Sequence, residues 1–463
     1  MWLGGASTID QVVRYARGVV LARILLKEDF GLMALVLAAM GAFEAMTEVG
    51  VRACVIQSKN ATDREFLNAA WWSAALRGAF LCAVGFFSAP LVGMIYTPEI
   101  APLLRVACFA VLLRGMMSPR THVLEKQLRY GRVAAINQGG GALAVAATIA
   151  LSLYVRNVWA LVIGYVFEAG AVAVISFIVV PFLPRLKVKW EFVKEISRYA
   201  RGMLGLPVFM MVFRQSPVFF LGKMVALAEL GVYNFAAGLA KIPLALFNAA
   251  IMRLMLPAFS QVKNESQRFK RTVLGSVQVV SILGMPVTAF LIVFARPVLS
   301  LSYGPAYESG APVLGILSLV TMLTMVNSNL SNVFFATARP DLYRMYALIR
   351  VIVQLALLWP GIHFMGAEGA AMAALVAFVA VFPFQMRGVK SLVPVGFGDV
   401  LRASSYGVVL GGVTLWCSMA VDALTQNAPW VDVAIGVAIF AAAVSVGLLK
   451  ILRLMSRTAP QEA

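Results

Sequence analysis

The fold of this chain is constrained most by its long runs of apolar residues, which contain no charged side chain. Residues 133–155 and 272–293 contain no charged side chain, and similar runs recur along the sequence. About twenty apolar residues cross a 30 Å hydrocarbon core as a helix, whose backbone hydrogen bonds are all internal. Charged residues make up 13% of the chain, against about 25% in soluble proteins. The sequence therefore predicts an all-α integral membrane protein.

The breaks between apolar runs predict about fourteen transmembrane helices. Charged residues, prolines and glycines mark the ends of each run. The predicted helices are 3–25, 30–52, 66–95, 100–117, 133–155, 158–182, 201–223, 231–256, 272–300, 310–336, 341–364, 367–386, 401–421 and 431–452.

Basic residues concentrate in alternate loops, for example at 120–132, 185–198 and 263–271. Cytoplasmic loops carry the excess of Lys and Arg, so this alternation predicts that both termini are cytoplasmic and that the number of helices is even. The net charge of +18 is explained in this way, and we expect no nucleic-acid partner.

Cysteine and histidine patterns predict neither a metal site nor a redox site. The four cysteines lie in apolar runs without a CxxC spacing, where they are typical of small buried residues. The chain has only two histidines, His122 and His363. We expect no metal and no organic cofactor.

The two halves of the chain repeat each other. The segment ARILLKEDFGLMAL at 22–35 aligns with GKMVALAELGVYNF at 222–235, and APLLRVACFAVLL at 101–113 aligns with APVLGILSLVTML at 311–323. Repeated helices are typical of transporters, whose substrate sites lie at the repeat interface. The expected organisation is two pseudo-symmetric six-helix halves, 1–182 and 201–390, a connector at 183–200, and two further helices with a tail at 391–463.

Four segments resemble the Wzx-type oligosaccharide flippases of the multidrug/oligosaccharidyl-lipid/polysaccharide exporter superfamily. They are LARILLKEDFGLMAL at 21–35, EVGVRACVIQ at 48–57, NVWALVIG at 157–164 and LGKMVALAELGVYNFA at 221–236. The chain departs from the family in two places. Trp2 lies almost at Met1, where basic and polar residues usually precede the first helix. Pro217 and Val218 replace an Asp-Asn pair.

The resemblance implies a flippase that carries a polyprenyl-pyrophosphate-linked oligosaccharide across the bacterial inner membrane by alternating access. It implies membrane lipids as surroundings and a glycan polymerase with export machinery as partners. Three alternatives stay open: a lipid II flippase, a drug/cation antiporter of the same superfamily, and a polytopic glycan polymerase or ligase. The short outer loops argue against the polymerase or ligase, and the excess of arginine argues against the antiporter.

Charged residues inside the predicted helices are candidates for a transport pathway, because each costs at least ~2.5 kcal/mol in hydrocarbon. Arg14 and Arg214 match at the repeat offset, so symmetry would place them on opposite walls of one cavity. Guanidinium binds phosphate bidentately. The predicted substrate-binding residues are Arg14, Arg214, Arg77, Arg350, Gln215 and Asn234.

Helical spacing groups the other charges. Asp10, Arg14 and Arg17 share one face of the first helix, and Glu44, Glu48 and Arg52 share one face of the second. Asp10, Arg17, Glu48 and Arg52 are predicted to form ion pairs between helices, and structural pairing or snorkelling is the alternative for every arginine. Glu44 and Glu168 are the candidates for coupling to H⁺ or Na⁺.

Overall fold

A computed structural model describes residues 2–45, 50–203, 206–247, 253–262, 264–424 and 429–458. It describes most side chains of these ranges from Gln11 to Lys450. Every regular element in the described ranges is helical, which confirms the predicted all-α membrane fold. The chain divides into two compact units, Met1–Gly231 and Val232–Ala463, and the division falls inside a helix.

The described residues of the first unit form ten helices and the start of an eleventh. They are α1 (Trp2–Ala22), α2 (Lys27–Ala45), α3 (Val51–Gln57), α4 (Arg64–Ile95), α5 (Ile100–Gly115), α6 (Arg120–Lys126), α7 (Tyr130–Val155), α8 (Val158–Val179), α9 (Trp190–Met203), α10 (Leu206–Met224) and α11 (Leu227–Phe247).

In the second unit, the part of the chain that the structure describes forms the rest of α11 and seven further helices. These are α12 (Arg253–Val262), α13 (Ser266–Val293), α14 (Ala295–Tyr303), α15 (Ala311–Ala336), α16 (Pro340–Leu392), α17 (Phe397–Leu424) and α18 (Pro429–Thr458), with a 3-10 turn at Pro305–Gly310.

Each predicted transmembrane helix overlaps a helix of the described residues, with shifted ends, and the predicted helices 201–223 and 231–256 both include positions outside the described residues. The predicted helix 30–52 is described only as far as Ala45, and Arg52 belongs to the separate short helix α3. Within the described ranges, eight helices are long and apolar enough to cross a membrane, or nine if α5 and α6, which meet at a 61° bend, form one span. The total of fourteen spans stays a prediction.

The 53-residue α16 is a helical hairpin. Its backbone leaves helical geometry at Gly366, where φ is +55°, a region that only glycine adopts readily. Gly361 and Gly369 face each other across the two arms, and Gly388 lies against Tyr346. The arms correspond to the two helices predicted at 341–364 and 367–386.

Apolar packing in the second unit follows the helical period. Val273, Val277 and Val280 are fully buried at i, i+4 and i+7 on α13, the spacing that places side chains on one face. They pack in one cluster with Leu330 and Phe334 of α15. In this cluster α15 packs against α13 on one side and α16 on the other.

The repeated segments contact each other in the first unit. A Cβ added to Gly31 of α2 would overlap the carbonyl oxygen of Leu227, and a Cβ added to Gly231 would overlap the carbonyl oxygen of Lys27. Each residue of one contact lies 200 positions from its counterpart in the other. The two contacts are therefore equivalent under the internal repeat, and each requires glycine because backbone meets backbone.

We expect Gly31→Ala and Gly231→Ala each to lower the stability of the protein by about 1–3 kcal/mol, since backbone atoms must move to admit a methyl group. Thermal unfolding in detergent measures the effect. Gly238→Ala is the matched control, because among the described residues no atom beyond the neighbouring helix backbone lies within 4 Å of a Cβ at that position and alanine favours helix. Equal melting temperatures for all three variants would contradict the close crossing.

Candidate functional site

A cavity of about 130 Å³ opens between α1, α7 and α8 in the first unit. Small residues of α7 leave the space for it, and two arginines and one glutamate stand in its wall. The lining residues are Val13, Arg14, Arg17, Gln138, Gly141, Ala142, Val145 and Glu168. Among the described residues, this wall contains two guanidinium groups, which bind anionic oxygens, and one carboxylate.

Glu168 of α8 pairs with both arginines of this cavity. Its carboxylate lies 3.3 Å from Arg14 Nη2 and 3.8 Å from Arg17 Nη1. Arg14 and Arg17 are three residues apart on α1 and therefore share a face. The Glu168 side chain is 15% exposed and that of Arg14 is 44% exposed, so the guanidinium of Arg14 stays accessible from the cavity.

A second ion pair lies beside the first. Arg114 Nη1 of α5 donates to Glu44 Oε1 of α2 at 2.8 Å, and the Arg114 guanidinium lies 4.9 Å from the centre of the Tyr165 ring. Tyr165 and Glu168 are three residues apart on α8, so this helix carries groups from both pairs. Arg114 and Tyr165 were not among the predicted site residues, although Arg114 lies inside an apolar run.

Arg214 and Gln215 lie on α10, which packs along α2. The side chain of Arg214 is exposed, and the amide nitrogen of Gln215 lies beside Gly41. Neither residue is in the wall of the cavity that holds Arg14. Arg77 is half-buried on α4 next to Gly78, where α4 and α5 pack closely. The predicted cavity shared by Arg14 and Arg214 stays a prediction.

In the second unit, Arg350 lies inside the α16 hairpin and is only 7% exposed. Its Nη2 donates to Asn327 Oδ1 at 2.9 Å and to Gln385 Oε1 at 3.4 Å. Its guanidinium lies 4.2 Å from the centre of the Phe378 ring. Its buried Nε has no hydrogen-bond acceptor among the described residues. The other predicted residue of this unit, Asn234, is exposed on α11.

Of the residues predicted to pair between helices, two are seen with acidic partners. Arg17 lies near Glu168, as described above, and Arg52 Nε of α3 donates to Glu125 Oε2 of α6 at 2.8 Å. The side chain of Asp10 and the whole of Glu48 lie outside the described residues. Ion pairing between the charged face of α1 and the charged face of α2 therefore stays a prediction.

Asp29 is a buried carboxylate that sequence reasoning did not select. Its Oδ1 accepts from the backbone N–H of Val158 at 2.9 Å, and its Oδ2 accepts from that of Leu26 at 3.1 Å. It thus satisfies otherwise unpaired N–H groups at the starts of α8 and α2. The first turn of α8 is completed by Asn157, whose side chain accepts from Trp159 N. These bonds set the position of α8, and with it Glu168, relative to α2.

Residues 20–312 match the family described as polysaccharide biosynthesis protein. The chain belongs to this family. The match covers more than half of the chain and includes Glu44 of α2, Gln138 of α7 and Glu168 of α8, whereas Arg14 and Arg17 of α1 lie before its first residue. It confirms the resemblance to the polysaccharide branch.

Two relatives resemble this chain over much of its length. The succinoglycan biosynthesis transport protein ExoT of Rhizobium meliloti is 25% identical over 65% of this chain and 61% of its own length. The lipopolysaccharide biosynthesis protein WzxC of Escherichia coli is 22% identical over 81% of this chain and 77% of its own length. The chain thus spans about three fifths and about three quarters of these two relatives.

Solved structures show the fold of this family member. A lipid II flippase, MurJ, in an inward closed conformation matches 97% of this chain and 99% of its own, with a TM-score of 0.77 and 14% identity. An inward-facing multidrug resistance transporter of the MATE family matches 83% of this chain and 95% of its own, with a TM-score of 0.59 and 15% identity. At 14% and 15% identity, these two likenesses show the fold of the chain.

Proposed function

We propose that the protein is a flippase that moves a polyprenyl-pyrophosphate-linked oligosaccharide from the cytoplasmic to the outer leaflet of the inner membrane by alternating access. The observation that carries the proposal is the charged cavity of the first unit, where Arg14 and Arg17 face one carboxylate. Guanidinium groups bind phosphate oxygens in pairs and stay charged when water is removed. The names of the relatives, which include transport in succinoglycan biosynthesis, point to the same class of substrate.

In this mechanism the pyrophosphate competes with Glu168 for the two arginines. A dianionic group offers more acceptor oxygens than one carboxylate, so its arrival separates the ion pairs and frees α1 to move relative to α8. Gln138 offers a neutral hydrogen-bonding group to the first sugar. Arg77, Arg214, Gln215, Arg350 and Asn234 remain further candidates for substrate contacts.

Glu44 and Glu168 are the two carboxylates at which a coupling ion would act. Each is held by arginine in the described conformation, and loss of that pairing in another conformation would expose an anion to H⁺ or Na⁺. We further propose that both termini are cytoplasmic, from the distribution of basic loops. A glycan polymerase and export machinery would then take the product in the outer leaflet.

Flipping of a fluorescent polyprenyl-pyrophosphate oligosaccharide in proteoliposomes tests the proposal. We expect transport by the wild type, and about tenfold slower transport by Arg214→Ala if one phosphate contact is lost. Imposed H⁺ and Na⁺ gradients identify the coupling ion. Transport of a drug cation in place of the lipid-linked glycan would support the antiporter instead. Transport of lipid II alone would identify the substrate as that lipid-linked precursor of peptidoglycan.

A further inference from the structure

The first turns of α4 hold the segment that follows α8 in a fixed conformation. Asn68, which is 3% exposed, donates through Nδ2 to the carbonyl oxygens of Arg185 and Lys187 at 2.9 and 2.8 Å. Its Oδ1 accepts from Arg185 N at 2.7 Å, and Trp72 Nε1 donates to Arg185 O at 2.7 Å. Four hydrogen bonds therefore fix the backbone at two positions of a segment that has no helical bonds of its own.

Buried aromatic and apolar residues anchor both ends of this segment. Phe182 and Ile196 are 5% and 2% exposed and belong to one cluster with Phe66 of α4. The Phe192 ring packs edge to face on Phe66, with the ring centres 5.5 Å apart. Packing within the first unit therefore fixes the course of the backbone from residue 182 to residue 196.

Between these anchors, large apolar side chains point away from the protein. Leu183, Leu186 and Trp190 are 78%, 86% and 67% exposed. They lie beyond the last residue of α8, Val179, which ends a helix long and apolar enough to cross a membrane. A tryptophan between apolar and charged groups is typical of the membrane–water interface.

Basic side chains alternate with these apolar ones. Residues 183–198 contain Arg185, Lys187, Lys189, Lys194 and Arg198 against Glu191 and Glu195. Lys189 pairs with Glu65, and Glu195 accepts a hydrogen bond from Ser58. Arg185, Lys187 and Lys194 are exposed. An apolar edge at headgroup depth with exposed cations beside it complements an anionic membrane surface.

We infer that residues 183–194 form a preorganised binding surface for anionic phospholipids, with Leu183, Leu186 and Trp190 immersed at the interface and Arg185, Lys187 and Lys194 on the phosphate groups. The inference rests on the proposed orientation, in which this end of the first unit is cytoplasmic. Because Asn68 and Trp72 fix the backbone, binding orders little additional chain and the affinity is not reduced by that cost. The bound lipids would hold the connector that precedes α10 at a constant depth.

The test is native mass spectrometry of the full chain released from mixed micelles of phosphatidylglycerol and phosphatidylcholine. The test variant is Arg185→Gln/Lys187→Gln/Lys194→Gln. The matched control, Arg271→Gln/Arg387→Gln/Lys390→Gln, removes equal charge from exposed positions in the second unit. We expect the test variant to retain about tenfold less phosphatidylglycerol relative to phosphatidylcholine, and the control to retain wild-type amounts.

A charge-preserving variant, Arg185→Lys/Lys187→Arg/Lys194→Arg, separates lipid binding from damage to the fold, and it should retain the lipid. Equal loss in the test variant and the control would overturn the inference, as would unchanged retention in the test variant. In a second set of micelles that also contain a polyprenyl pyrophosphate, loss of that lipid from the test variant without loss of phosphatidylglycerol would assign the surface to the substrate and also overturn the inference. The measurement needs no transport, so it can fail while the proposed flippase activity holds.

Discussion

Replacing both cavity arginines, in Arg14→Ala/Arg17→Ala, is expected to slow flipping of the lipid-linked oligosaccharide at least about a hundredfold. Each arginine that bonds a phosphate contributes about 1.5–3 kcal/mol as a charge-assisted hydrogen bond, and both contacts are lost together. The proteoliposome assay measures the rate, with the amount of reconstituted protein determined for each variant. The double lysine variant should be intermediate, because lysine keeps the charge and loses the bidentate geometry.

The double variant leaves the carboxylate of Glu168 without the two arginines seen beside it, which itself can destabilise the helix pair. The triple variant Arg14→Ala/Arg17→Ala/Glu168→Gln removes this charge. We expect it to restore the melting temperature without restoring transport. Recovery of transport in the triple variant would show that the arginines only neutralise Glu168, and the anion site would then be wrong.

Arg52→Ala is the control for charge removal at an ion pair. Arg52 pairs with Glu125 at 2.8 Å and its side chain is 66% exposed, so the pair resembles that of Arg14 but does not line the cavity. An exposed pair contributes little to stability, about 0–1 kcal/mol. We expect its loss to change flipping by less than about threefold. A loss as large as that of the cavity variant would indicate a general effect of removing arginine.

The positions of the helices were predictable because a bilayer demands long apolar runs and tolerates breaks only at their ends. The hairpin turn at Gly366 falls between two predicted helices, where glycine interrupts the run. The repeat likewise aligned Gly31 with Gly231, and both glycines lie at equivalent backbone crossings. These features depend on local sequence or on internal comparison of the chain with itself.

Which helices face each other could not be read from spacing. The period of 3.6 residues places Arg14 and Arg17 on one face of α1, but it does not say which helix lies opposite. The carboxylate seen beside both arginines is Glu168 of α8. Pairing of this face of α1 with the second helix stays a prediction, because the side chain of Asp10 and the whole of Glu48 lie outside the described residues. Glu44 of the second helix instead binds Arg114 of α5. Long-range packing decides these partners, and a single sequence does not encode it in a periodic pattern.

The spacing of charged residues along the sequence also does not predict how deeply each arginine is buried. Arg14 and Arg350 both interrupt apolar runs, yet Arg14 opens to a cavity and Arg350 is enclosed by the α16 hairpin. The amide partners of Arg350 are polar residues common in membrane helices, and nothing in their positions along the sequence distinguishes a binding wall from a helix contact. The two arginines therefore call for different experiments.

Arg350→Ala is expected to lower the stability of the protein by about 3 kcal/mol. The change leaves a cavity between α15 and the two arms of α16, and it removes the donor to the buried oxygens of Asn327 and Gln385. Cavity formation and unsatisfied buried acceptors each cost about 1–3 kcal/mol. Thermal unfolding in detergent, with protein yield as a second measure, checks this expectation.

Arg350→Met retains most of the volume of the arginine stem, so it should recover part of the stability lost in Arg350→Ala. Asn327→Leu combined with Arg350→Met replaces a donor and an acceptor together and should recover more, because one buried oxygen no longer lacks a partner. If Arg350 holds the hairpin, flipping by these variants follows their stability. If instead Arg350→Met melts like the wild type while flipping is lost, Arg350 contacts the substrate, as its place among the predicted binding residues requires.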